Sequence, residues 1–178
     1  TNSFSKGYRM YTKRIGFALL PAELQANLRV IQQHTLLCTD PAYQYGMIAA
    51  LADEDSPEEL NRVYRSRAEY TTKRLTGTGC EPIAAEGGFY AMLRCEEWNN
   101  GHGFESSKEL ARDILRQVHV AVVPGTDFGV PHDLRLAFCN ERYNEAIDRL
   151  REYFTSSTAD QRSSSDADRV DAVASARA

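Results

Sequence analysis

A chain of 178 residues is the size of one ordinary domain, or of one domain with a piece of another. Hydrophobic residues make up 42% and charged residues 26%, which excludes a collagen-like or wholly disordered chain; no apolar run approaches the ~18 residues that cross a bilayer. A formal net charge of −4 argues against a nucleic-acid platform, which carries a basic face.

The chain opens at Thr1 without Met and without the charged and apolar regions of a signal peptide. Thr1-Asn2-Ser3-Phe4-Ser5-Lys6 reads like the middle of a longer protein. Arg14-Ile15-Gly16-Phe17-Ala18-Leu19-Leu20 is an apolar run ended by Pro21, the pattern of a buried strand. It has no sheet of its own to join. Unpaired backbone donors are costly, so a partner strand upstream of this chain is expected. Pro21 suits the first turn of a helix that carries Leu24, Leu28 and Ile31 on one face. Asp40-Pro41 starts a second helix, with Asp40 as N-cap, through Tyr45, Ile48, Ala49 and Leu51. Ser56-Pro57-Glu58-Glu59 starts a third, with Ser56 as cap and acids in the first turn. Leu60, Val63, Tyr64, Arg67, Thr71 and Leu75 mark its face, and Gly77 and Gly79 end it.

Gly87-Gly88 then opens a strand through Leu93. Ser106 with Glu109 forms a capping box ahead of Leu110, Ile114 and Val118. Val120 to Val123 is a β-branched strand that runs into the turn Pro124-Gly125, and Leu134 to Phe138 is its partner. Asn140 caps a last helix with Tyr143, Ile147, Leu150 and Phe154 on one face. Residues 155–178 hold no Leu, Ile, Phe or Tyr. Such a segment cannot offset its ordering entropy, so a disordered tail is expected. Cys38, Cys80, Cys95 and Cys139 form no C-x-x-C pair and have no histidine at a zinc spacing. Buried free thiols in a reducing cytoplasm are the reading.

Lys6 sits among small hydroxyl residues in Ser3-Phe4-Ser5-Lys6, with Arg14 eight residues on. That set suits a Schiff base between an amine and an aldehyde cofactor. The amine must be partly neutral, which burial and a neighbouring cation favour. An arginine fork binds phosphate oxygens bidentately, and a serine hydroxyl adds a donor without bulk. By spacing alone a solvated loop lysine is the commoner reading.

The order of motifs along the chain adds more. Ser3-Phe4-Ser5-Lys6-Gly7-Tyr8-Arg9-Met10-Tyr11-Thr12-Lys13-Arg14-Ile15-Gly16-Phe17 resembles the cofactor-lysine segment of the class I/II aminotransferases, the fold type I pyridoxal-phosphate enzymes. Gly87-Gly88-Phe89-Tyr90, Val122-Val123-Pro124-Gly125-Thr126-Asp127-Phe128-Gly129 and Leu134-Arg135-Leu136-Ala137-Phe138 follow in the family's order. The resemblance covers residues 1–154. It implies an α/β chain, the C-terminal part of the fold type I fold. Residues 1–76 would be the edge of the large cofactor-binding domain with the connecting helix, residues 77–154 a small α+β domain, and residues 155–178 the tail.

The resemblance implies that Lys6 binds pyridoxal 5′-phosphate and moves a proton during catalysis. It implies that Ser3 and Arg14 hold the cofactor phosphate, and that Arg135 clamps the substrate α-carboxylate. No metal is implied. The implied function is amino-group transfer between an amino acid and a 2-oxo acid by a cytoplasmic homodimer, without nucleic acid or membrane. The family's upstream segment supplies an aspartate for the pyridine nitrogen, a stacking aromatic and a phosphate-binding helix start. With five residues before Lys6, this chain is expected to work only with the N-terminal half of the same enzyme. A lyase, a cyclising synthase or an amino-acid oxidase of the same fold would carry the same residues, and so would an aminotransferase-like domain of a transcriptional regulator.

Some positions depart from the family's pattern. Thr12 stands where many members have Gly, and Arg9 where a small or apolar residue is usual; Tyr11 matches the aspartate-aminotransferase branch. That branch reads a dicarboxylate with a second arginine near Gln33 to Asp40, and this segment has none, which implies an enzyme not specific for aspartate. His34 and Asp127 are expected in packed or solvated roles, and Tyr43, Tyr45 and Tyr90 as packing residues.

Overall fold

The computed structural model describes residues 1–156. The expected tail lies outside these residues apart from Thr155 and Ser156, and Thr155 closes the last helix. The chain divides into two compact units, Thr1–Val63 and the residues from Tyr64 onward, and the division falls within the long helix α4, Asp55–Leu75.

The first unit begins with β1 (Asn2–Ser3), the single-turn α1 (Phe4–Gly7) and β2 (Gly16–Phe17). The expected long strand is therefore two residues, and its partner lies within the chain. Asn2 pairs with Phe17 and Ser3 with Gly16, antiparallel. Gly16 is what lets these strands meet. A Cβ there would stand 2.6 Å from the Asn2 carbonyl oxygen, closer than side chains pack against backbone. Phe4, buried to 1%, packs its ring against Tyr8 and Phe17.

Helix α2 (Ala22–Thr35) follows Pro21 as expected, and α3 (Pro41–Ala52) is capped by Asp40, whose carboxylate accepts from Ala42 N–H at 2.8 Å. No residue of either helix is buried. Leu28 is 40% exposed and Ile48 64%. The start of α4 differs from the expectation. Ser56 lies inside the helix, and the Asp53 carboxylate ahead of it accepts from Ser56 N–H at 3.0 Å. The bonds from the Ser56 hydroxyl and N–H hold the Asp53 carboxyl below its usual range. Asp accepts backbone N–H groups at a helix start as well as Ser does.

The second unit carries the sheet. Strands β3 (Glu81–Ile83), β4 (Tyr90–Arg94), β5 (Val123–Pro124) and β6 (Leu134–Ala137) lie in the order β3-β4-β6-β5, all antiparallel. Helices α5 (Glu96–His102), α6 (Ser107–Val118) and α7 (Tyr143–Thr155) complete it, with a 3₁₀ turn at Gly125–Phe128. Alternation along the strands separates two faces. Ala91, Leu93, Leu134 and Leu136 join a core with Leu110, Ile114, Ile147, Leu150 and Trp98. Tyr90, Met92, Arg135 and Ala137 point to the other face.

Two caps work differently from the expectation. Ser106 makes no side-chain cap bond, and Glu109 reaches back to Glu105 N–H at 3.0 Å. Asn140 accepts from Arg142 N–H at 2.8 Å, so it shapes the turn ahead of α7 rather than its first residue. Arg142 and Arg149 both bond Glu145, which holds that carboxyl below its usual range. Tyr70 donates to Asp148, the partner of Arg74 at 2.6 Å.

The cysteine reading is corrected. Cys80 and Cys95 form a disulfide, while Cys38 and Cys139 are free and exposed. The register explains the bond. Glu81 pairs with Arg94, so one step further places Cys80 opposite Cys95 with Cα atoms 4.3 Å apart, the close spacing of an antiparallel pair. Among the described residues no helix is long and apolar enough to cross a membrane, and no cluster could hold a metal ion.

Candidate active site

Ser3, Lys6 and Arg14 fall on one short loop of the first unit, closed by backbone bonds. Phe4 N–H donates to the Ile15 carbonyl at 3.2 Å and Met10 N–H to the Phe4 carbonyl at 3.2 Å. Ser3 is the N-cap of α1. Its hydroxyl oxygen accepts from Ser5 N–H at 3.1 Å and donates to the Ile15 carbonyl at 3.4 Å. Lys6 stands exposed in the last turn of α1. Ser5 is buried at 6%, which suits packing of the turn.

Arg14 is exposed and has φ 54°; Arg9, in the same loop, has φ 55°. Left-handed backbone is uncommon for a residue with a side chain, and such strain gathers at functional sites. Arg9, the departure noted above, thus takes one of the two strained turns. One closed loop thus carries a hydroxyl, an exposed amine and an exposed guanidinium.

Arg135 belongs to the second unit and sits mid-strand on β6, half-buried on the face away from the core. Its guanidinium carbon lies 4.2 Å from the centre of the Tyr90 ring and 4.3 Å from that of Phe128. Its Nε is buried and meets no hydrogen-bond partner among the described residues. The sequence reading named Arg135 as a candidate, took Tyr90 as a packing residue and gave Phe128 no role. Aligning the two strands sets Met92 opposite Arg135, which makes Tyr90 the diagonal neighbour on the same face.

The other candidates take modest roles. His34 is exposed in the last turn of α2, and Asp127 meets Lys108 at 3.9 Å on the surface. The Lys13 amine lies over the Tyr43 ring at 4.8 Å, and Tyr45 is exposed. A cleft of about 530 Å³ in the first unit is lined by Gly16, Phe17, Arg29, Gln33, Cys38 and Thr39. Another of about 300 Å³ in the second unit is lined by His119, Asn140, Arg142 and Arg149. Ser3, Lys6, Arg14 and Arg135 line neither, so the chemistry is read from the side chains and not from the cavities.

The family model for aminotransferase class I and II matches residues 1–152. The chain belongs to the class I and II aminotransferase family. Within it, the aspartate aminotransferase of Bacillus sp. (strain YM-2) is 31% identical over 153 residues, 84% of this chain and 39% of that protein. Aromatic-amino-acid aminotransferase 2 of Thermococcus litoralis is 31% identical over 156 residues, with 84% and 39% covered. Among solved structures, the aspartate aminotransferase of Thermotoga maritima superposes with a TM-score of 0.75 at 27% identity, over 87% of this chain and 39% of that one. An aromatic aminotransferase of Pyrococcus horikoshii gives 0.74 at 30% identity, over 85% and 41%. These superpositions bear out the expected α/β fold of the fold type I aminotransferases. Enzymes of this family generally depend on pyridoxal phosphate. The chain spans about two fifths of the length of the relatives it matches.

Proposed function

We propose that this aminotransferase-family chain is the lysine-bearing part of a pyridoxal 5′-phosphate-dependent enzyme that moves an amino group between an amino acid and a 2-oxo acid. The observation that carries the reading is the closed loop that presents Ser3, Lys6 and Arg14 together, with two arginines held in left-handed backbone. When bound, pyridoxal phosphate supplies the electron sink for the bond changes at the substrate α-carbon.

The chain's own residues supply the rest. The Ser3 hydroxyl and the Arg14 fork hold the phosphate. The Lys6 amine binds the cofactor aldehyde. With the cofactor bound, the Lys6 Nζ would be the base that takes up and returns a proton at the substrate α-carbon. Arg135 holds the substrate α-carboxylate through a charge-assisted, bidentate pair.

The reading includes two partners. One is the N-terminal half of the same enzyme, since relatives are more than twice the length that this chain spans. The other is a second copy, as a homodimer. The exposed apolar residues of α2 and α3, Leu24, Leu28, Ile31, Ile48 and Leu51 among them, support such cover. A cytoplasmic setting rests on the free thiols Cys38 and Cys139 alone, because the Cys80–Cys95 disulfide argues the other way. For the domains, we hold to a large-domain edge over residues 1–76 and a small domain over 77–154.

The test is amino-group exchange by the full-length protein with pyridoxal phosphate. Transfer of label from an amino acid to a 2-oxo acid is expected, and release of ammonia or hydrogen peroxide in its place overturns the reading. Arg135→Ala is expected to weaken amino-acid binding by roughly 30-fold or more, as loss of a buried charge-assisted pair does. Unchanged affinity removes Arg135 from the site.

A further inference from the structure

Two partly exposed aromatic residues flank Arg135, and of the two Tyr90 also meets the Phe89 ring at 4.1 Å. Tyr90 is 38% exposed and Phe128 47%, and neither belongs to the buried core of the second unit. Both lie against Arg135, within the ~6 Å at which a ring attracts a cation. We propose that Tyr90 and Phe128 are positioning residues that hold the Arg135 guanidinium in place for the substrate carboxylate. The proposal rests on the reading of Arg135 given above.

The fold delivers the two rings by separate routes. Tyr90 is the first residue of β4, diagonal to Arg135 on the sheet face away from the core. Phe128 ends the 3₁₀ turn that follows β5. That turn is built to a tight pattern. Gly125 N–H donates to the Asp133 carbonyl at 2.7 Å, Val130 N–H to the Gly125 carbonyl at 3.1 Å, and Asp133 N–H to the Val130 carbonyl at 3.1 Å. Gly129 closes it in left-handed backbone at φ 77°. The loop therefore leaves β5, sets Phe128 against Arg135 and returns straight into β6, the strand from which Arg135 comes.

Among the described residues the buried Arg135 Nε has no hydrogen-bond partner, so the rings are what is seen to hold this side chain. The guanidinium is weakly hydrated and stacks on rings readily. Two rings against it restrict the rotamers that a long side chain would otherwise sample. They also exclude water from a cation that must pair with a carboxylate. The result is a charge fixed before the substrate arrives, which lowers the entropy cost of binding.

The experiment uses the full-length holoenzyme with Tyr90→Leu and Phe128→Leu, each also made in an Arg135→Ala background, and the ring-keeping swaps Tyr90→Phe and Phe128→Tyr. Two readouts are taken: KM and kcat for the amino donor, and the calorimetric Kd of 3-phenylpropionate, with its primary amide as the uncharged control. Each leucine variant is expected to raise KM and the carboxylate Kd by about three- to tenfold, with kcat moving less and the amide unaffected. The swaps are expected to restore both values, and in the Arg135→Ala background the leucines are expected to add nothing.

Unmoved KM and Kd in the leucine variants, while Arg135→Ala weakens binding, overturn this proposal and leave Arg135 as the clamp. A lowered melting temperature with unmoved Kd assigns the rings to packing and overturns it too. An equal loss in the Arg135→Ala background means that the rings touch the ligand themselves, which also overturns it. A wild-type enzyme whose carboxylate and amide bind alike, or an Arg135→Ala variant that binds like the wild type, overturns the reading of Arg135 and the proposal with it.

Discussion

Tyr143 gives a quantitative handle on the unit that carries Arg135. It opens α7 at 4% exposure, meets the Phe138 ring edge-on, and shares a 2.6 Å hydrogen bond with the Thr71 hydroxyl of α4. Burial pushes its phenol from 10.0 up to about 12. A group whose pKa is raised by folding contributes fully below its unfolded value, and that stability is lost as pH rises through the folded value. Between pH 10 and 12 the loss is ~2.7 kcal/mol, at 1.36 kcal/mol for each pH unit. Tyr143→Phe keeps the ring and deletes the titrating group. Thr71 keeps its bond to the Arg67 carbonyl at 2.8 Å, so the neutral-pH cost is about 1 kcal/mol. The wild type is then the more stable protein at about pH 8, and the order inverts near about pH 11, where its loss reaches ~1.4 kcal/mol. Urea unfolding followed by circular dichroism at steps across this range reads both curves. Curves that stay parallel, with the wild type ahead throughout, would refute the buried-phenol argument.

Two further substitutions probe the same unit. A Cβ on Gly125 would stand 2.6 Å from the Asp133 carbonyl oxygen and nearer still to that of Val130; both are backbone atoms, so Gly125→Ala must move the loop that carries Phe128. It is expected to cost about 1–3 kcal/mol and to raise the carboxylate Kd, and a variant that melts with the wild type contradicts the tight turn. The Cys80–Cys95 bond closes a loop of sequence separation 15; the double serine variant is expected to lose about 3 kcal/mol on the chain-entropy account. Thiol titration of the native, unreduced protein is expected to find Cys38 and Cys139 and not the other pair, and four reactive thiols contradict it.

The sequence disclosed the helices well where capping and periodicity agreed. Asp40-Pro41 is an example, and so is the long face from Leu60 to Leu75. Helix α5 escaped notice because Asn99, Asn100 and Gly101 are poor helix formers; Trp98, buried at 5%, holds it from the core side. Strands came out shorter than their apolar runs. Val120 to Val122 reads as strand, yet the ladder with β6 begins only at Val123 and ends at Pro124, which has no N–H to continue it. The partner of β2, expected upstream of this chain, is instead Asn2–Ser3 within it, a pairing that depends on the missing Cβ of Gly16 and leaves no hydrophobic pattern to read. The disulfide followed from register, which cysteine spacing does not encode.

At the candidate site, the lysine loop and Arg135 were legible as motifs. The left-handed backbone of Arg9 and Arg14 was not, since an arginine carries no signal for positive φ as Gly, Asn, Asp and His do. Phe128 was hidden for a related reason. Its place against Arg135 is set by a turn whose geometry depends on backbone bonds between Gly125, Val130 and Asp133.

Everything proposed about function turns on Lys6. The full-length protein is incubated with pyridoxal phosphate, reduced with borohydride, digested and mapped by mass spectrometry. The cofactor is expected on Lys6, and Lys6→Ala is expected to lose both the adduct and the visible absorbance of the lysine-bound cofactor. An adduct on Lys13 or any other lysine, or an unchanged spectrum in Lys6→Ala, contradicts the account.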